Sequence, residues 1–292
     1  MTVPDQQIPG VIHRRVGELF VTALSDGFLD GSLNVLRNIG EEEAAAMIRA
    51  AFRPVPRRTS VNCFLIRGDD ATTLVDTGCG DTMQPTTGKL LGHLAAAGVA
   101  PEAIDLILLT HMHGDHSNGL SDASGRAVFP NATVTMHEAE WAYWSDSANV
   151  AEVERTGNGL PYFAMAQRQM APYLNRLRTF RDGEVAPGIT AVPLPGHTPG
   201  HTGYRVASEG ESLLIWGDIT HVPEVQIPRP DVTVIYDVDP AQAEASRRRI
   251  LEQTAADRQL VAGMHLHFPG YAHVAQDAGG YRLVPEPWRQ AL

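Results

Sequence analysis

Hydrophobic residues change their spacing along the chain, and this change separates strands from helices. Short apolar runs at 61–66 and 72–75 are typical of two consecutive β-strands joined by a turn. Residues 89–97 instead repeat leucine on one helical face, which predicts a helix that ends at Gly98. The chain therefore mixes both kinds of element from its first third onward.

The same alternation continues to the C-terminus. Asp239 and Pro240 have the pattern of an N-cap and a first helical residue, and Pro172 must kink or split the helical spacing that runs from Phe163 to Leu177. Further strands are predicted at 104–109, 132–136, 189–194, 202–206, 213–216 and 261–264, and further helices at 41–51 and 241–256. This order favours a β core covered by helices.

Domain organisation follows from the absence of a linker. No stretch rich in Pro, Gly or Ser divides the 292 residues, so we expect 1–292 to form a single domain. Residues 1–50 are predicted to form an N-terminal extension with an early strand. The composition, with 43% hydrophobic and 20% charged residues, is that of a globular protein able to bury a sizeable core.

The net charge of the chain limits the partners that it can bind. A net charge of −11 argues against nucleic acid, whose binding requires Lys and Arg to neutralise phosphates. The basic run at 247–249 is expected to be a solvated helix face.

Cys63 and Cys79 are too few for a disulfide framework and are predicted to be packed residues. Without a membrane-spanning apolar run or a signal-peptide core, the protein is predicted to be cytoplasmic, with no membrane partner.

The segment that carries chemistry follows the predicted strand 104–109. It supplies His111, His113, Asp115 and His116, which are ligands that zinc and similar metals prefer. In an extended chain residues i and i+2 point to the same side, so His111 and His113 can grip one ion together. Gly114 permits a sharp turn, after which the other two side chains can reach a second ion. Four such groups after a buried strand would be costly without a role.

Two coordination shells need ligands from elsewhere in the chain. His197, Asp218 and His265 each follow a predicted strand, where sites are usually built, and a carboxylate such as Asp218 can bridge two ions through its two oxygens. His201 is expected to contact a ligand. The other histidines are predicted to be hydrogen-bonded structural residues: His13, His93, His137, His221, His267 and His273.

Five ordered segments between residues 55 and 285 resemble the metallo-β-lactamase fold superfamily. They are Asp76-Thr77-Gly78, His111-x-His113-x-Asp115-His116, Gly196-His197-Thr198-Pro199-Gly200-His201, Gly217-Asp218 and Met264-His265. The resemblance implies an α/β fold, a four-layer αβ/βα sandwich with metals at one edge between the sheets. It also implies a ligand set: His111, His113 and His197 on one metal, Asp115, His116 and His265 on the other, and Asp218 between them. Asp76 would orient a ligand histidine.

Within that superfamily the sequence is most similar to the methyl parathion hydrolase group of organophosphate hydrolases and lactonases. The similar segments are 216–222, 225–226, 265–270 and 280–285. The resemblance implies hydrolysis of lactones, aryl esters and phosphotriesters, and a homodimer that uses the N-terminal segment.

These observations predict a hydrolase with two divalent metal ions, zinc first, with manganese, iron or cobalt as alternatives. A water shared by the metals would be ionised and attack the substrate, with Asp115 and Asp218 as the catalytic carboxylates and Asp115 accepting the proton. The substrate is expected to be a neutral small lactone or aryl or carboxylic ester, with phosphotriesters as a further class. Trp141, Trp144 and Phe268 are candidates for the substrate pocket.

Other functions stay open at this point. A β-lactamase, a mononuclear-iron oxidoreductase of the sulfur dioxygenase type and a nucleic-acid-processing hydrolase all occur on the same fold. An iron enzyme would leave His116 and His265 without a role, and a nucleic-acid enzyme would require a basic surface. A non-catalytic scaffold would not require the complete ligand set.

Overall fold

A computed structural model describes residue 7 and residues 9–69, 71–149 and 160–291. The strands are β1 (Val11–Val16), β2 (Leu19–Gly31), β3 (Leu36–Arg37), β4 (Arg57–Arg67), β5 (Thr72–Val75), β6 (Leu106–Leu108), β7 (Thr133–His137), β8 (Leu177–Phe180), β9 (Glu184–Ala186), β10 (Ile189–Pro193), β11 (Thr202–Ser208), β12 (Glu211–Ile215), β13 (Thr233–Val234), β14 (Leu260–Ala262), β15 (Tyr271–Asp277) and β16 (Gly280–Pro285).

The helices alternate with these strands, as the sequence predicts. They are α1 (Glu41–Ala50), α2 (Leu90–Ala96), α3 (Gly114–Ser117), α4 (Glu138–Ser145), α5 (Leu160–Met170), α6 (Pro223–Gln226) and α7 (Pro240–Ala256), with 3₁₀ turns at Leu33–Val35, Pro101–Ala103 and Ala171–Arg176. No helix in the described ranges combines the length and the apolar character needed to cross a membrane.

Two seven-stranded sheets form the centre of the molecule. The first has the order β1-β2-β4-β5-β6-β7-β8 and the second the order β16-β15-β14-β12-β11-β10-β9, while β3 and β13 pair separately. Strands β5 to β8 run parallel to one another, so their carboxyl ends meet at one edge of the first sheet. In the second sheet β12 and β14 are also parallel, which brings the residues after them to a common edge.

Hydrophobic side chains divide the fold into four layers. Between the sheets, Phe64 and Leu108 of the first sheet pack in one cluster with Tyr204 and Ile215 of the second. A second cluster joins the outer face of the first sheet to α2 and α5, and a third joins the outer face of the second sheet to α7. Helices on both outer faces of two stacked sheets confirm the predicted αβ/βα sandwich.

Most sequence predictions agree with the observed elements. Helix α7 begins after Asp239, whose side chain accepts a hydrogen bond from the Gln242 amide at 3.0 Å. The prediction at Leu177 is wrong. The helix ends at Met170, Pro172 lies in the 3₁₀ turn that follows, and Leu177 begins strand β8, because proline cannot continue the helical hydrogen bonding.

The N-terminal segment contributes more strands than the sequence indicates. Strands β1 and β2 pair with each other, and β2 pairs with β4 from Phe20 to Gly31, with a register shift between Ser25 and Gly27. Val21, Ala23 and Leu24 of β2 are completely buried. Residues 11–31 of the predicted extension therefore belong to the first sheet.

The basic run at 247–249 differs from the expected solvated face. Arg247 is only 1% exposed, because its side chain is directed at the segment 219–232. Its guanidinium donates to the carbonyls of Ile219 at 2.7 Å and of Pro230 and Val232 at 2.8 Å. Only Arg248 and Arg249 are on the exposed side. Cys63 and Cys79 are buried free thiols, as predicted.

Candidate metal centre

The end of the parallel strands β5 and β6 builds one half of the site. Residues 109–113 follow β6, with His113 in extended conformation, and the short helix α3 then begins at Gly114. The other half comes from the second sheet, where a loop precedes β11 and two loops follow β12 and β14. The structure brings together all seven side chains predicted as ligands: His111, His113, Asp115, His116, His197, Asp218 and His265.

Three imidazoles form the first group of potential ligands. The Nδ1 atom of His113 lies 3.0 Å from Nε2 of His111 and 2.9 Å from Nε2 of His197. His111 and His197 are almost completely buried. Three ring nitrogens thus converge on one point, as a tetrahedral metal site requires.

Asp115, His116 and His265 form the second group. Oδ2 of Asp115 lies 3.3 Å from Nε2 of His265 and 3.6 Å from Nε2 of His116. Asp218 lies between the two groups, with its Oδ2 atom 3.6 Å from Nε2 of His111 and 3.2 Å from Nε2 of both His116 and His265. This is the position of a carboxylate able to serve both groups.

Hydrogen bonds to the far side of each ring fix which nitrogen carries the proton. Nδ1 of His116 donates to Asp76 at 2.7 Å, and Nδ1 of His265 donates to the Ser60 carbonyl at 2.7 Å. Nδ1 of His197 donates to Asp237 at 2.8 Å. In each ring Nδ1 is therefore held by a hydrogen bond, and Nε2, which faces the centre, is the nitrogen available to a metal.

Asp76 has the location that the resemblance implies. One oxygen accepts from His116, and the carboxylate also accepts from the backbone amide and the hydroxyl of Thr110, both at 2.8 Å. The φ angle of Asp76 is +59°, an uncommon conformation for a residue other than glycine. His201 contacts the centre indirectly, since its Nε2 accepts from the Asp218 amide at 2.9 Å and its Nδ1 donates to the Leu194 carbonyl.

Burial and neighbouring charges shift the pKa values of the residues in the centre in opposite directions. Burial holds the pKa of His111 and His113 well below the usual value, so both rings are neutral. Burial also lowers the pKa of His265, but the carboxylate of Asp218 outweighs this effect and raises it to about 10. Burial alone would raise the pKa of Asp218, but His116 and other neighbouring imidazoles hold it well below its usual range. The carboxylate is thus ionised.

Three contributors to the centre were missed in the sequence. His221, predicted to be a structural residue, places Nε2 3.1 Å from Oδ2 of Asp218 and stacks on His265 with ring centroids 5.2 Å apart. Its position three residues after Asp218 in the same loop was an available signal. The sequence contains no signal for Asp237 or for Glu140, which accepts from the Met112 amide between His111 and His113. A single Asp or Glu outside a motif resembles any other. The remaining five histidines are hydrogen-bonded structural residues, as predicted: His13, His93, His137, His267 and His273.

The donor set fits two divalent metal ions. Five ring nitrogens and two carboxylates converge in two adjoining groups, and these are the donor types that divalent metals take in proteins. Among the described residues, the buried atoms His116 Nε2 and Asp218 Oδ1 have no hydrogen-bond partner. Imidazole and carboxylate ligands bind zinc and several other first-row metals, so the donor chemistry leaves the metal's identity open.

The aromatic residues proposed for the substrate pocket have different locations. Trp144 is buried, its ring contacts that of His113 edge-on at 5.5 Å, and its indole N–H donates to Glu140. Trp141 is partly buried against the core of the first layer. Phe268 lines a cavity of about 320 Å³ that also reaches His221, and neither tryptophan lines this cavity.

Sequence comparison connects these features to known proteins. The family described as the Metallo-beta-lactamase superfamily matches residues 56–265. The chain is 22% identical to the N-acyl homoserine lactonase of Bacillus thuringiensis over 244 residues, which are 77% of this chain and 85% of that protein. It is 28% identical to the uncharacterized protein YobT of Bacillus subtilis (strain 168) over 166 residues, which are 56% of this chain and only 63% of that protein.

Solved structures extend the likeness to nearly the whole chain. A crystal structure of the hydrolase AbOPH in the beta lactamase superfamily matches with a TM-score of 0.92 and 32% identity, over 98% of this chain and 100% of that one. The dizinc quorum-quenching lactonase AidC, in complex with a product, matches with a TM-score of 0.88 and 28% identity, over 97% of this chain and 99% of that one. The fold, the grouped donors and the matched family agree, and the chain belongs to the metallo-beta-lactamase superfamily.

Proposed function

We propose that the chain is a dinuclear-metal hydrolase that opens lactones and cleaves aryl or carboxylic esters. The observation that carries the proposal is the pair of donor groups joined by Asp218 Oδ2, which lies 3.2–3.6 Å from Nε2 atoms of both. N-acyl homoserine lactones are the first substrates to test, because a 22% identical relative and the similar AidC structure are lactonases.

In this proposal the seven residues form two metal sites. His111, His113 and His197 would hold one metal and Asp115, His116 and His265 the other, with Asp218 placed to serve both. Two such ions, when bound, activate a water for attack and polarise the substrate carbonyl. The groups that accept from Nδ1 of His116, His197 and His265 keep these three rings oriented before substrate arrives.

Asp115 is the proposed proton acceptor. Its side chain is 17% exposed, whereas that of Asp218 is 2% exposed, so Asp115 is the carboxylate that substrate and water can reach. Burial would raise the pKa of Asp115, but His116 and His265 outweigh it and hold the pKa below its usual range. The carboxylate is therefore ionised and able to take the proton of the attacking water.

The cavity of about 320 Å³ beside His221 is the proposed substrate pocket. Phe28, Val222 and Phe268 give it apolar walls, and Arg57 supplies a polar group. Ligand pockets have volumes of about 300–1,000 Å³, so this one suits a small acyl or aryl group. Neutral lactones and esters are not repelled by a chain of net charge −11. Contact of Trp141 or Trp144 with substrate stays a prediction.

The decisive experiment is a substrate panel with the metal-loaded protein and matched variants. We expect turnover of acyl homoserine lactones and aryl esters, with paraoxon-type phosphotriesters as a weaker activity suggested by the likeness to methyl parathion hydrolases. His113→Ala and Asp218→Ala should reduce kcat/KM by at least about 100-fold. His273→Ala, on the exposed side of β15, is the control and should keep full turnover. Full turnover in the first two variants would reject the proposal.

Two cheap measurements separate the alternatives. Nitrocefin hydrolysis faster than any lactone would favour a β-lactamase. One iron per chain, instead of two metal ions, would favour a mononuclear-iron oxidoreductase. Zinc as the preferred metal is part of the proposal, and metal analysis of the purified protein tests it.

The assembly and location of the enzyme are further parts of the proposal. We propose a cytoplasmic homodimer. Phe52 and Val55, which follow α1 and are 96% and 39% exposed, offer apolar surface for an interface near the N-terminal segment. Light scattering after size exclusion should give twice the chain mass of 31.6 kDa.

A further inference from the structure

Glu140 is a buried carboxylate that the proposed chemistry does not use. It lies in the first turn of α4 and is 0% exposed. In the part of the chain that the structure describes, no Lys, Arg or His lies within 4.0 Å of its carboxylate. A buried carboxylate without a cationic partner is costly, so it is retained only where its hydrogen bonds serve a purpose.

Four donors surround this carboxylate. Oε1 accepts from the Met112 amide at 2.8 Å and from the Trp144 indole at 2.6 Å. Oε2 accepts from the Thr198 hydroxyl at 2.6 Å and from the Gly200 amide at 3.1 Å. Every partner is a donor, so the ionised carboxylate is the form that satisfies all four.

The four donors have a shared location. Met112 lies between His111 and His113, and Thr198 follows His197 directly. The ring of Trp144 packs edge-on against that of His113 at 5.5 Å. One side chain therefore ties together the backbone beside all three imidazoles of the first group.

The second metal group has separate supports. His116 is oriented by Asp76 at 2.7 Å, and His265 by the Ser60 carbonyl at 2.7 Å. Glu140 makes no hydrogen bond to either of these supports. Removing its charge should therefore affect the two metal groups unequally.

We propose that Glu140 is a positioning residue for the three-imidazole group, and that it sets the affinity of this one metal site by joining the loop 111–113 to the loop 197–200. The inference rests on the proposed dinuclear function, because it assigns a separate support to each of the two metals. It predicts that removing the charge of Glu140 weakens metal binding at the three-imidazole site and leaves the other site unchanged.

The test uses Glu140→Gln, which keeps the shape of the side chain and removes its charge. After dialysis against a graded chelator series, the wild-type protein should retain two metal ions per chain and the variant one. We expect the affinity of the weaker site to fall about 10- to 100-fold, as for other residues that orient metal ligands. In the cobalt-substituted protein, only one of the two sets of visible absorption bands should change. Excess zinc should restore turnover.

Asp26→Asn is the matched control. Asp26 is also a buried carboxylate, and it accepts from the amides of Cys79, Gly88 and Leu90, none of which adjoins the three imidazoles. This variant should lower the melting temperature and leave the affinity of the three-imidazole site unchanged. Equal weakening of both sites in Glu140→Gln, or no weakening, would overturn the inference.

A second variant covers the case in which Glu140→Gln does not fold. Thr198→Val removes one of the four donors while preserving the shape of the side chain, and it should weaken the same site by a smaller factor. Unchanged affinities in Thr198→Val would then count against the inference. A wild-type protein that binds two metals but hydrolyses no ester would refute the proposed function alone, because the site-selective metal loss can still be measured.

Discussion

Arg247 shows how one residue can carry a structural role that its neighbours do not share. Its guanidinium binds three carbonyls of the segment 219–232, which follows Asp218. Arg247→Met fills most of the same volume but leaves these carbonyls without partners, and an unsatisfied buried polar group costs about 1–3 kcal/mol. We expect the free energy of unfolding to fall by about 3 kcal/mol in denaturant titration.

The adjacent arginine provides the control for this prediction. Arg248 is half exposed and pairs with Glu244 at 2.7 Å within the same helix. Arg248→Met should change stability by less than about 0.5 kcal/mol. Equal effects of the two substitutions would mean that the buried hydrogen bonds of Arg247 contribute nothing beyond helix propensity.

Asp237 is the second residue whose role depends on one contact. Burial would raise its pKa, but the hydrogen bond with His197 lowers it to about 2. Asp237→Asn keeps the shape but removes the charge that fixes the His197 ring. Zinc affinity should fall about 10- to 100-fold, measured by competition with a chromophoric chelator. A wild-type affinity in this variant would show that Asp237 does not orient the ring.

Sequence predicts the residues of the centre where they stand in short motifs. His111 to His116 lie together in the chain, and His197, Asp218 and His265 each follow a strand, so their residue types and positions suffice. Glu140 and Asp237 act through contacts with residues 58 and 40 positions away, and no local pattern encodes such contacts. The same reason explains the error at Arg247, whose burial depends on which face of α7 meets the sheet.

At the scale of elements, the position of His197 in the three-imidazole group depends on how closely the loop 197–200 approaches helix α4. A Cβ atom added to Gly200 would lie 2.2 Å from the backbone nitrogen of Glu140, closer than any real contact. Gly200→Ala must therefore separate the loop that carries His197 from the start of α4. We expect a lower melting temperature and weaker zinc binding together, measured by calorimetry with and without zinc.

Gly92 in α2 is the matched control for Gly200. A Cβ atom there would meet nothing within 4 Å, and the residue lies inside a helix. Gly92→Ala should stabilise the protein by about 0.5–1 kcal/mol, because alanine has the higher helix propensity. Destabilisation by both substitutions to the same extent would contradict the proposed close packing at Gly200.

Elements were predicted well where a local sequence pattern defines them, and less well where a strand is defined by pairing with a distant strand. The apolar periodicity of 241–256 and the Asp239-Pro240 start suffice for α7. Strand β2 was not separated from β1 because both lie in a segment with polar positions, and their identity depends on pairing with β4. Boundaries shifted by one to four residues elsewhere, as at β4, where 61–66 was predicted and Arg57–Arg67 is observed.

At the scale of the molecule, each of the two donor groups combines side chains from both halves of the sandwich. His111 and His113 follow the first sheet whereas His197 belongs to the second, and the other group likewise combines His116 with His265. Neither group exists unless both sheets are folded and packed through their shared core. Bound metals should therefore stabilise the whole fold and not a local loop.

Metal removal tests this global coupling. A ligand that binds only the folded state stabilises it by about 2.7 kcal/mol when present at 100 times its Kd. Chelation should therefore lower the melting temperature by roughly 5–10 °C while the unfolding transition stays single and cooperative. Scanning calorimetry with EDTA, then with zinc restored, measures both features. In His113→Ala the shift on chelation should be smaller, because one group has lost a ligand. Chelation that splits the transition in two would show that the sheets unfold independently, and an unchanged melting temperature would mean that the seven donors do not bind metal in the folded protein.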